Sequence, residues 1–472
     1  MRVIFDTYRP DIDPVISGGQ ALTTAQNVRK EPVGYSAIGA LTAQAPAALD
    51  GTIRGISGNV FGTTSGSPYV FAGTGAKLWR IFTLASGWSD VSIAGGYTVG
   101  SNSRWDFCAF ANSIIAVAPS TAPQTMVTAG AGLMANLSAN APQAFCCMSL
   151  GNHVVFGNVV DSVYGLGTMR NAIWWCSIGN PASWPQPGTS TAIAAQSDYR
   201  QLSGNGGDVM SLIAAYDVGY IFQRKAIWRM TYVGGDSMYE ITKVSSERGC
   251  TINSFGAVLP IGIFMLDDDG FYIFDGASIT PIQEGKAGRA FLTLLGQGNR
   301  DRISIAANGD RKELGIAFAT DTTPNYIFLY NWALDEATII SQSLEWLMPF
   351  GRGKDCHFGA FSTSHQLGFF EGSNMAATLE TGDIEANPGG RSTVVSVRPF
   401  VQGATPTITC QIGTKNTLSG SLTWSSAKSL NSWGVFDCLE DARYHRIRLL
   451  LASSTWTSVT GCDAEFRPSG WI

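Results

Sequence analysis

The feature that most constrains this chain is the recurrence of short apolar segments in pairs, each pair joined by a tight turn. These hairpins begin near residues 69, 107, 146, 212, 257, 305 and 360, a spacing of roughly 40 to 60 residues. The clearest example is Ile263–Phe274, where two apolar strands meet at Asp269-Gly270. This dipeptide readily takes the positive φ values of a hairpin turn. We therefore predict an all-β fold of many short strands.

The composition supports strands joined by turns. The chain has 472 residues, of which 54 are glycine, and the glycines follow no collagen-like period. Charged residues make up 14%, whereas about 25% is usual. This excludes a highly charged disordered chain, a coiled coil and a nucleic-acid binder that depends on Lys and Arg. The net charge of −5 provides no basic field for phosphates or anionic membranes.

A repeat of three or four strands at this spacing is typical of a β-propeller, in which each blade buries its faces against its neighbours. We predict a β-propeller of roughly six or seven blades over residues 51–385, with a short helix near 286–295. A pair of β-sandwiches would have similar strand statistics and stays an alternative.

Two further segments flank the predicted propeller. Residues 385–391 are rich in Gly and Pro and predict a boundary, after which residues 391–472 form a small C-terminal β-domain. Residues 1–50 contain four prolines and little strand pattern. We expect them to form an N-terminal arm that the core or a neighbouring molecule orders.

Export and membrane signals are weak. No run approaches the roughly 18 apolar residues of a transmembrane helix, and Met1–Asp6 lacks the apolar region of a signal peptide. The nine cysteines are odd in number and lie in apolar contexts. We expect them to be buried free thiols of a protein made in a reducing cytoplasm.

The chain contains no complete catalytic motif. A Gly-x-Ser-x-Gly nucleophile elbow is absent. Gly285-Lys286 is followed by Ala287 and lacks the upstream glycine of a phosphate-binding loop. Gly204–Gly207 is interpreted as a turn, because no clear strand precedes it and no clear helix follows. We therefore predict no catalytic, cofactor-binding or metal-binding residues and no cofactor.

Histidine and cysteine spacing also argues against a local zinc site. No Cys-x2-Cys pair is present, although a site assembled from distant elements stays open. We interpret Cys146-Cys147 and Cys356-His357 as buried thiols and an ordinary strand histidine. The four histidines are too far apart for a His-x3-His motif: His153, His357, His365 and His445.

The acidic run Asp267–Gly270 has a functional and a structural interpretation. It could ligate calcium or supply the carboxylates of a propeller glycosidase. It could equally be the charged tip of a hairpin, since Asp and Gly dominate such turns. The alternating ligands of a calcium loop and the repeated Ser-x-Asp-x-Gly-x-Thr-Trp box of sialidase propellers are both absent. We interpret the run as a turn.

Several strand-and-turn stretches of the chain together point to a known family. The fullest extends from Gly219–Tyr232 through Glu247–Cys250 to Asp269–Gly276. The others are Tyr8–Asp11, Ala25–Val28, Gly34-Tyr35, Trp105–Val117, Pro123-Gln124, Trp174–Trp184, Gln196–Tyr199 and Asn331–Asp335. In these stretches the chain resembles proteins of the bacteriophage short-tail nozzle, the packaged-DNA stabilisation and tail-tubular-protein-B-like family. The resemblance covers most of residues 1–350 and contains no active-site signature.

The resemblance implies a β-propeller body in a homohexameric ring below a portal–adaptor assembly. It implies a central channel that holds packaged double-stranded DNA and then passes it without sequence-specific binding. It implies no enzyme activity and no catalytic residue. The expected partners are other copies of the chain, the head–tail adaptor or portal ring, and tail fibre or needle proteins. The expected location is the phage tail in the virion, after assembly in the host cytoplasm.

Within this interpretation, residues 1–50 would contact the adaptor, and residues 391–472 would form the nozzle tip or contacts between rings. Two other classes remain open. One is a propeller glycoside hydrolase or a lectin-like receptor-binding tail protein that acts on host-surface glycan. The other is a tail-fibre or hub protein that carries a propeller.

Overall fold

The computed structural model describes residues 1–16, 19–61, 68–215, 217–252, 256–295, 300–319, 325–351, 357–404, 406–453 and 456–471. These residues form mainly β-strands. The α-helices among them are Ser190–Ala194 (α1) and Gly288–Leu295 (α2), and 3-10 turns lie at Gly235–Ser237 and Arg300–Arg302. The helix predicted near 286–295 is confirmed by α2. Within the described ranges, no helix is long and apolar enough to cross a membrane.

Five short strands come first along the chain. Each has only two to five residues, so a period-two pattern has no room to show. Their bounds are Arg2–Ile4 (β1), Leu22–Gln26 (β2), Val28–Lys30 (β3), Tyr35–Ala37 (β4) and Thr42–Ala43 (β5).

In the described part of the chain, seven antiparallel blades of four strands follow one another around a ring, which confirms the predicted all-β propeller. Six of these blades are separate sheets, and the sixth blade along the chain is part of a ten-stranded sheet. Blades 1 and 2 comprise Gly55–Phe61 (β6), Pro68–Gly73 (β7), Leu78–Ile81 (β8) and Ser89–Asp90 (β9), then Asp106–Phe110 (β10), Ser113–Val117 (β11), Gln124–Val127 (β12) and Ala135–Asn136 (β13). Blades 3 and 4 comprise Gln143–Leu150 (β14), His153–Asp161 (β15), Gly167–Trp175 (β16) and Asp198–Gln201 (β17), then Val209–Ala215 (β18), Val218–Gln223 (β19), Ile227–Gly234 (β20) and Met238–Ser245 (β21).

Blades 5 to 7 continue the same order, from an inner first strand to an outer last strand. They comprise Ala257–Leu259 (β22), Gly262–Leu266 (β23), Phe271–Phe274 (β24) and Ile279–Ile282 (β25), then Ser304–Asn308 (β26), Glu313–Phe318 (β27), Tyr326–Asn331 (β28) and Glu336–Ser341 (β29), and finally Trp346–Phe350 (β30), His357–Phe361 (β31) and Leu367–Phe369 (β32), with β5 as the outer strand.

Backbone pairing to an N-terminal strand completes blade 7. Ala43 pairs with Gly368, and Thr42 pairs with Phe369. The inner strand β30 of blade 7 also packs against β6 of blade 1, as neighbouring inner strands do elsewhere in the ring. β5 comes before blade 1 in the chain and is hydrogen-bonded to β32 of blade 7. The backbone thus links the first and last blades, in addition to the packing of their side chains.

Large apolar side chains fill the interfaces between blades. Between blades 1 and 2, the indole N–H of buried Trp105 donates to the carbonyl oxygen of Thr74 at 2.9 Å. A Cβ at Gly73 would lie 2.2 Å from Cδ1 of Trp105, so this strand position requires glycine. Glycine therefore serves close packing between blades as well as turns.

A β-sandwich stands beside the propeller and contains both ends of the chain. One sheet has the order β3-β4-β40-β34-β38, with β1 on β40. The other sheet continues blade 6 outward in the order β29-β2-β33-β39-β35, with β36 and β37 on β35. Its later strands are Ala377–Thr381 (β33), Gly390–Gly403 (β34), Ile408–Lys415 (β35), Thr423–Trp424 (β36), Lys428–Ser429 (β37), Phe436–Ala442 (β38), Tyr444–Leu451 (β39) and Trp456–Trp471 (β40).

The N-terminal 50 residues, predicted as an arm, are instead strands of both bodies. β1, β3 and β4 belong to one sheet of the sandwich, β2 joins blade 6 to β33, and β5 lies in blade 7. The C-terminal domain likewise begins before the predicted residue 391, because β33 pairs with β39. The N-terminal strands are too short for their alternation to be visible in the sequence. Apart from the local pair β3 and β4, their partners lie hundreds of residues away.

Candidate functional site

The propeller has two different faces because successive strands of each blade run in opposite directions. The upper face, as we name it, carries the connections between blades and the turns between second and third strands. The lower face carries the turns between first and second strands and between third and fourth strands. Loops on such faces are where propellers place functional side chains.

A hollow of about 770 Å³ lies on the upper face between blades 4 and 5, and it contains the acidic run. Every lining residue comes from a loop or a single helical turn. The lining has four basic and four acidic residues, together with one threonine: Arg224, Lys225, Arg248, Arg300, Glu247, Asp267, Asp268, Asp269 and Thr251.

The acidic run forms a longer turn than predicted. Leu266 pairs with Phe271, and the backbone N–H of Asp267 donates to the carbonyl oxygen of Gly270 at 3.0 Å. The described residues with positive φ include neither Asp269 nor Gly270, which corrects the expected two-residue turn. A four-residue loop reverses the chain around a type I turn, which needs no positive φ.

Arginines hold the two exposed aspartates of this turn. Arg248 donates from Nη1 and Nη2 to the two carboxylate oxygens of Asp269 at 2.7 and 2.9 Å, and Arg300 pairs with Asp268. The hydrogen bonds from Arg248 hold the pKa of Asp269 below its ordinary value, whereas burial raises the pKa of Asp267. The guanidinium of Arg248 also lies 4.1 Å from the ring centroid of Tyr272, so it covers the aromatic face that a sugar would need.

Calcium is expected to leave the melting temperature unchanged at millimolar concentration. The ion would have to displace Arg248 and Arg300 from the carboxylates. Among the described residues, no group of three His, Cys, Asp or Glu side chains is placed to bind the ion elsewhere. Differential scanning fluorimetry with and without the ion checks this. The matched control is Arg248→Gln, which frees Asp269. A calcium-dependent rise in the wild-type melting temperature would contradict the interpretation of this run as a turn.

The histidines do not converge. His153 is buried, and its ring nitrogens contact the carbonyl oxygen of Gln196 at 3.1 Å and the hydroxyl of Tyr239 at 2.9 Å. His445 is buried against the carbonyl oxygen of Ser392 at 2.9 Å. Over the described ranges, no three His, Cys, Asp or Glu side chains are placed to hold a metal ion. Cys356 lies outside these ranges.

Acidification from about pH 7.5 to 6 is expected to lower the melting temperature. Burial lowers the pKa of both His153 and His445. Near pH 6.5 the unfolded chain therefore binds more protons at these histidines than the folded chain does. The free energy of unfolding consequently falls as the pH drops through that value. Thermal scans across this range should show a shallower slope for the double variant His153→Gln, His445→Gln. The exposed-residue variant His357→Gln should keep the wild-type slope, and an unchanged slope in the double variant would contradict the prediction.

The described cysteines are all buried and unpaired in disulfides, as the prediction of buried thiols requires. Burial raises the pKa of the Cys176 thiol to about 12 and that of Cys250 to about 11. Thiols that stay protonated are poor nucleophiles and poor metal ligands. Cys176 and Cys250 therefore act as small apolar residues of the core.

The most unusual surface of the molecule belongs to blades 1–3, which we name the charge-poor blades. Residues 107–160 contain no Asp, Glu, Lys or Arg, and the turn sequences 81–89, 111–112, 128–134, 151–152 and 171–197 contain none either. Blades 1–3 as a whole have nine charged residues: Lys77, Arg80, Asp90, Arg104, Asp106, Asp161, Arg170, Asp198 and Arg200.

Most of these nine charges have partners within the propeller, either on its surface or in its interior. Lys77 pairs with Asp90 at 2.9 Å, and Arg80 donates to the carbonyl oxygen of Gly130 at 2.5 Å. Asp106 accepts from the backbone N–H of Cys147 at 2.9 Å. Arg104 and Asp161 likewise bond to backbone groups. Little charge is left to face a partner.

The same blades expose large apolar side chains. Four of them lie on lower-face turns and one at the strand end next to such a turn: Phe82, Leu133, Ile178, Ile193 and Val127. Contiguous apolar surface without charge is typical of the buried centre of an interface. Sequence reasoning missed this surface, although the charge-free run 107–160 could have revealed it.

No protein-family model and no curated protein matches the chain. Solved structures with a similar arrangement include the computationally designed Ika8 protein, with a TM-score of 0.40, 8% identity, and coverage of 70% of this chain and 99% of that one. BamB from Moraxella catarrhalis has a TM-score of 0.38 at 10% identity and covers 72% of this chain and 92% of its own. YCF48 from Cyanidioschyzon merolae has a TM-score of 0.40 at 12% identity, with 70% and 97% covered. At these scores the similarity identifies no relative, and the propeller fold is established by the strand pairing of the chain itself.

Proposed function

We propose that the chain is a structural protein of a phage virion, a tail nozzle or tube component. Copies form a ring, a homohexamer in this proposal, that closes the portal–adaptor channel, retains packaged DNA and conducts it during ejection. The observation that carries the proposal is the charge-poor surface of blades 1–3 with its exposed apolar side chains. Exposed apolar surface of this kind is typical of a protein–protein interaction site.

The kind of assembly is taken from the resemblance to nozzle proteins. Two of the longest resembling stretches fall on blade hairpins, Trp105–Val117 on β10 and β11 and Gly219–Tyr232 on β19 and β20. The net charge of −5 suits a channel wall along which DNA slides, because an acidic protein does not retain phosphate groups. The adaptor or portal ring and tail fibre or needle proteins are the other proposed partners.

The competing proposal, a glycoside hydrolase or a glycan-binding tail protein, would use the hollow on the upper face. Its support is the presence of four carboxylates there. Against it, Arg248 and Arg300 occupy two of these carboxylates, and Arg248 covers the ring of Tyr272. In the proposed structural role, these ion pairs stabilise the turn at Asp267–Gly270, and the hollow needs no catalytic function.

Light scattering coupled to size exclusion, with the protein alone and mixed with adaptor protein, tests the proposal. We expect ring-shaped oligomers or tail-like particles, visible by negative-stain microscopy. A monomer that cleaves or binds host polysaccharide would overturn it in favour of the glycan proposal. Immunolabelling of virions separates a nozzle, at the base of the portal, from a fibre or hub protein.

A further inference from the structure

The sandwich exposes large apolar side chains along one edge, which we name the distal edge. It consists of β36, β37, β38 and the adjacent turns at residues 416–420 and 431–434. Trp433 is 83% exposed, Leu439 is 79% exposed and Leu418 is 59% exposed. A tryptophan and two leucines this open to water on one edge mark an interaction surface.

The strand order places this edge farthest from the propeller. One sheet leaves blade 6 at β29 and ends at β35, which carries β36 and β37. The other sheet begins with β3, which packs beside β29, and ends with β38. Both sheets therefore finish at the distal edge, and the edge forms one end of the molecule.

The charge-poor blades lie at the opposite end. In the ring of blades formed by the described residues, blades 2 and 3 stand across the central axis from blade 6, which carries the sandwich. The molecule thus has an apolar edge at one end and an uncharged, partly apolar surface at the other. Two matching surfaces at opposite ends are the arrangement that head-to-tail association requires.

We infer that the distal edge of one copy packs against the lower face of blades 1–3 of the next copy. The inference rests on the proposed function, in which copies of the chain assemble. Trp433 and Leu439 are the anchors, and the surface around Leu133 and Ile193 receives them. Each copy uses both of its ends, so the contact is heterologous and produces a ring when the rotation between copies closes.

The distribution of charge explains why the distal edge fits the charge-poor blades better than the upper face of blades 4 and 5 does. The upper face of blades 4 and 5 carries Arg224, Lys225 and Glu247, and a surface of that kind would bury charges without partners against the charge-poor blades. At the distal edge, two of the charges beside Leu439 already have partners. Asp437 accepts from Nδ2 of Asn431 at 3.0 and 3.1 Å, and Asp441 pairs with Arg391.

Two variants of the full-length protein, each with one altered end, test the contact. The edge variant is Trp433→Ser, Leu439→Ser, and the blade variant is Leu133→Lys, Ile193→Lys; all four side chains are exposed, so folding is preserved. The control is Val33→Ser, because Val33 is 67% exposed in the turn between β3 and β4 at the other edge of the sandwich. Circular dichroism and thermal scans verify folding, and sedimentation velocity measures assembly.

We expect each variant to raise the concentration needed for assembly by at least about tenfold, while the control assembles as the wild type does. An equimolar mixture of the two variants should form dimers and nothing larger, because only one intact pair of ends remains. If the wild type and both variants assemble equally, the contact is wrong and the proposed function survives. The contact is also wrong if the blade variant loses binding to adaptor protein alone. If the wild type stays monomeric even with adaptor protein, the proposed function itself fails.

Discussion

Deletion of residues 1–43 is expected to leave the chain unable to fold. The deletion removes β2, which joins blade 6 to the sandwich, and β5, which completes blade 7. It also removes five large buried side chains from the main core: Val3, Phe5, Leu22, Val28 and Tyr35. Their burial contributes about 7 to 15 kcal/mol at roughly 1.5 to 3 kcal/mol each, which is as large as the whole stability of a typical domain, about 5 to 15 kcal/mol.

Circular dichroism, thermal scans and limited proteolysis of the truncated chain measure this effect. A control adds residues 1–50 as a separate segment during expression, which should restore part of the folded material because the strands can still pair. A soluble truncated chain with the wild-type melting temperature would contradict this expectation and show that the fold does not need these residues.

The variant Asp383→Ala is expected to destabilise the sandwich by about 3 to 5 kcal/mol. The Asp383 carboxylate is fully buried, 2.5 Å from Nζ of Lys415 and paired with Arg446. Both cations are largely buried as well, and Glu380 holds only Arg446 of the two. Removal of the carboxylate leaves buried positive charge without its partner, which is far more costly than the loss of an exposed pair.

Chemical denaturation measures the change in unfolding free energy. In the double variant Asp383→Ala, Lys415→Met, part of the loss should be recovered, because one of the two stranded cations is gone. Glu465→Ala is the matched surface control: it breaks the exposed pair with Arg467 and should cost less than about 1 kcal/mol. An Asp383→Ala variant as stable as this control would mean that water reaches the cluster.

Six of the seven blades in the described residues are predictable from sequence because each is built from four strands adjacent in the chain. Ile263–Phe274 contains two apolar strands and their turn, and β23 and β24 form there. Such local hairpins need no knowledge of distant residues, so their spacing predicts the propeller. The details of the turn at Asp267–Gly270 depend on Arg248 and Arg300, which other loops supply, and the sequence could not show that contact.

The N-terminal strands could not be predicted for the opposite reason. β5 has two residues, and its partner β32 comes hundreds of positions later. β2 pairs with β29 on one side and with β33 on the other, and both of these strands are far from β2 in the sequence. β2 and β5 are too short to show alternating apolar residues, and neither has a partner nearby in the sequence. The sequence pattern of this region is therefore dominated by prolines such as Pro10 and Pro14, which suggest an arm.

The charge-poor surface could be predicted only in part from the sequence. The run 107–160 is present in the sequence, but a charged fraction of 14% over the whole chain averages it with residues rich in charge. Only the ring arrangement shows that the uncharged turns of three consecutive blades lie together on one face. The distal edge could not be predicted from the sequence. Trp433 and Leu439 are residue types that usually lie in the core, and only the structure shows that they are exposed.

Pairing between the first and last strands has a consequence for synthesis on the ribosome. β1 to β5 emerge first, but β1 pairs with Gly461–Asp463 and β4 pairs with Ser458 and Val459. β1 therefore has no partner strand until residues 461–463 have been translated, and β4 pairs only with β3 until residues 458–459 follow. A chain released before these residues cannot complete this sheet of the sandwich, although the strands of the propeller are already present. Its unpaired strand edges would remain accessible to proteases, so degradation would remove the incomplete chains.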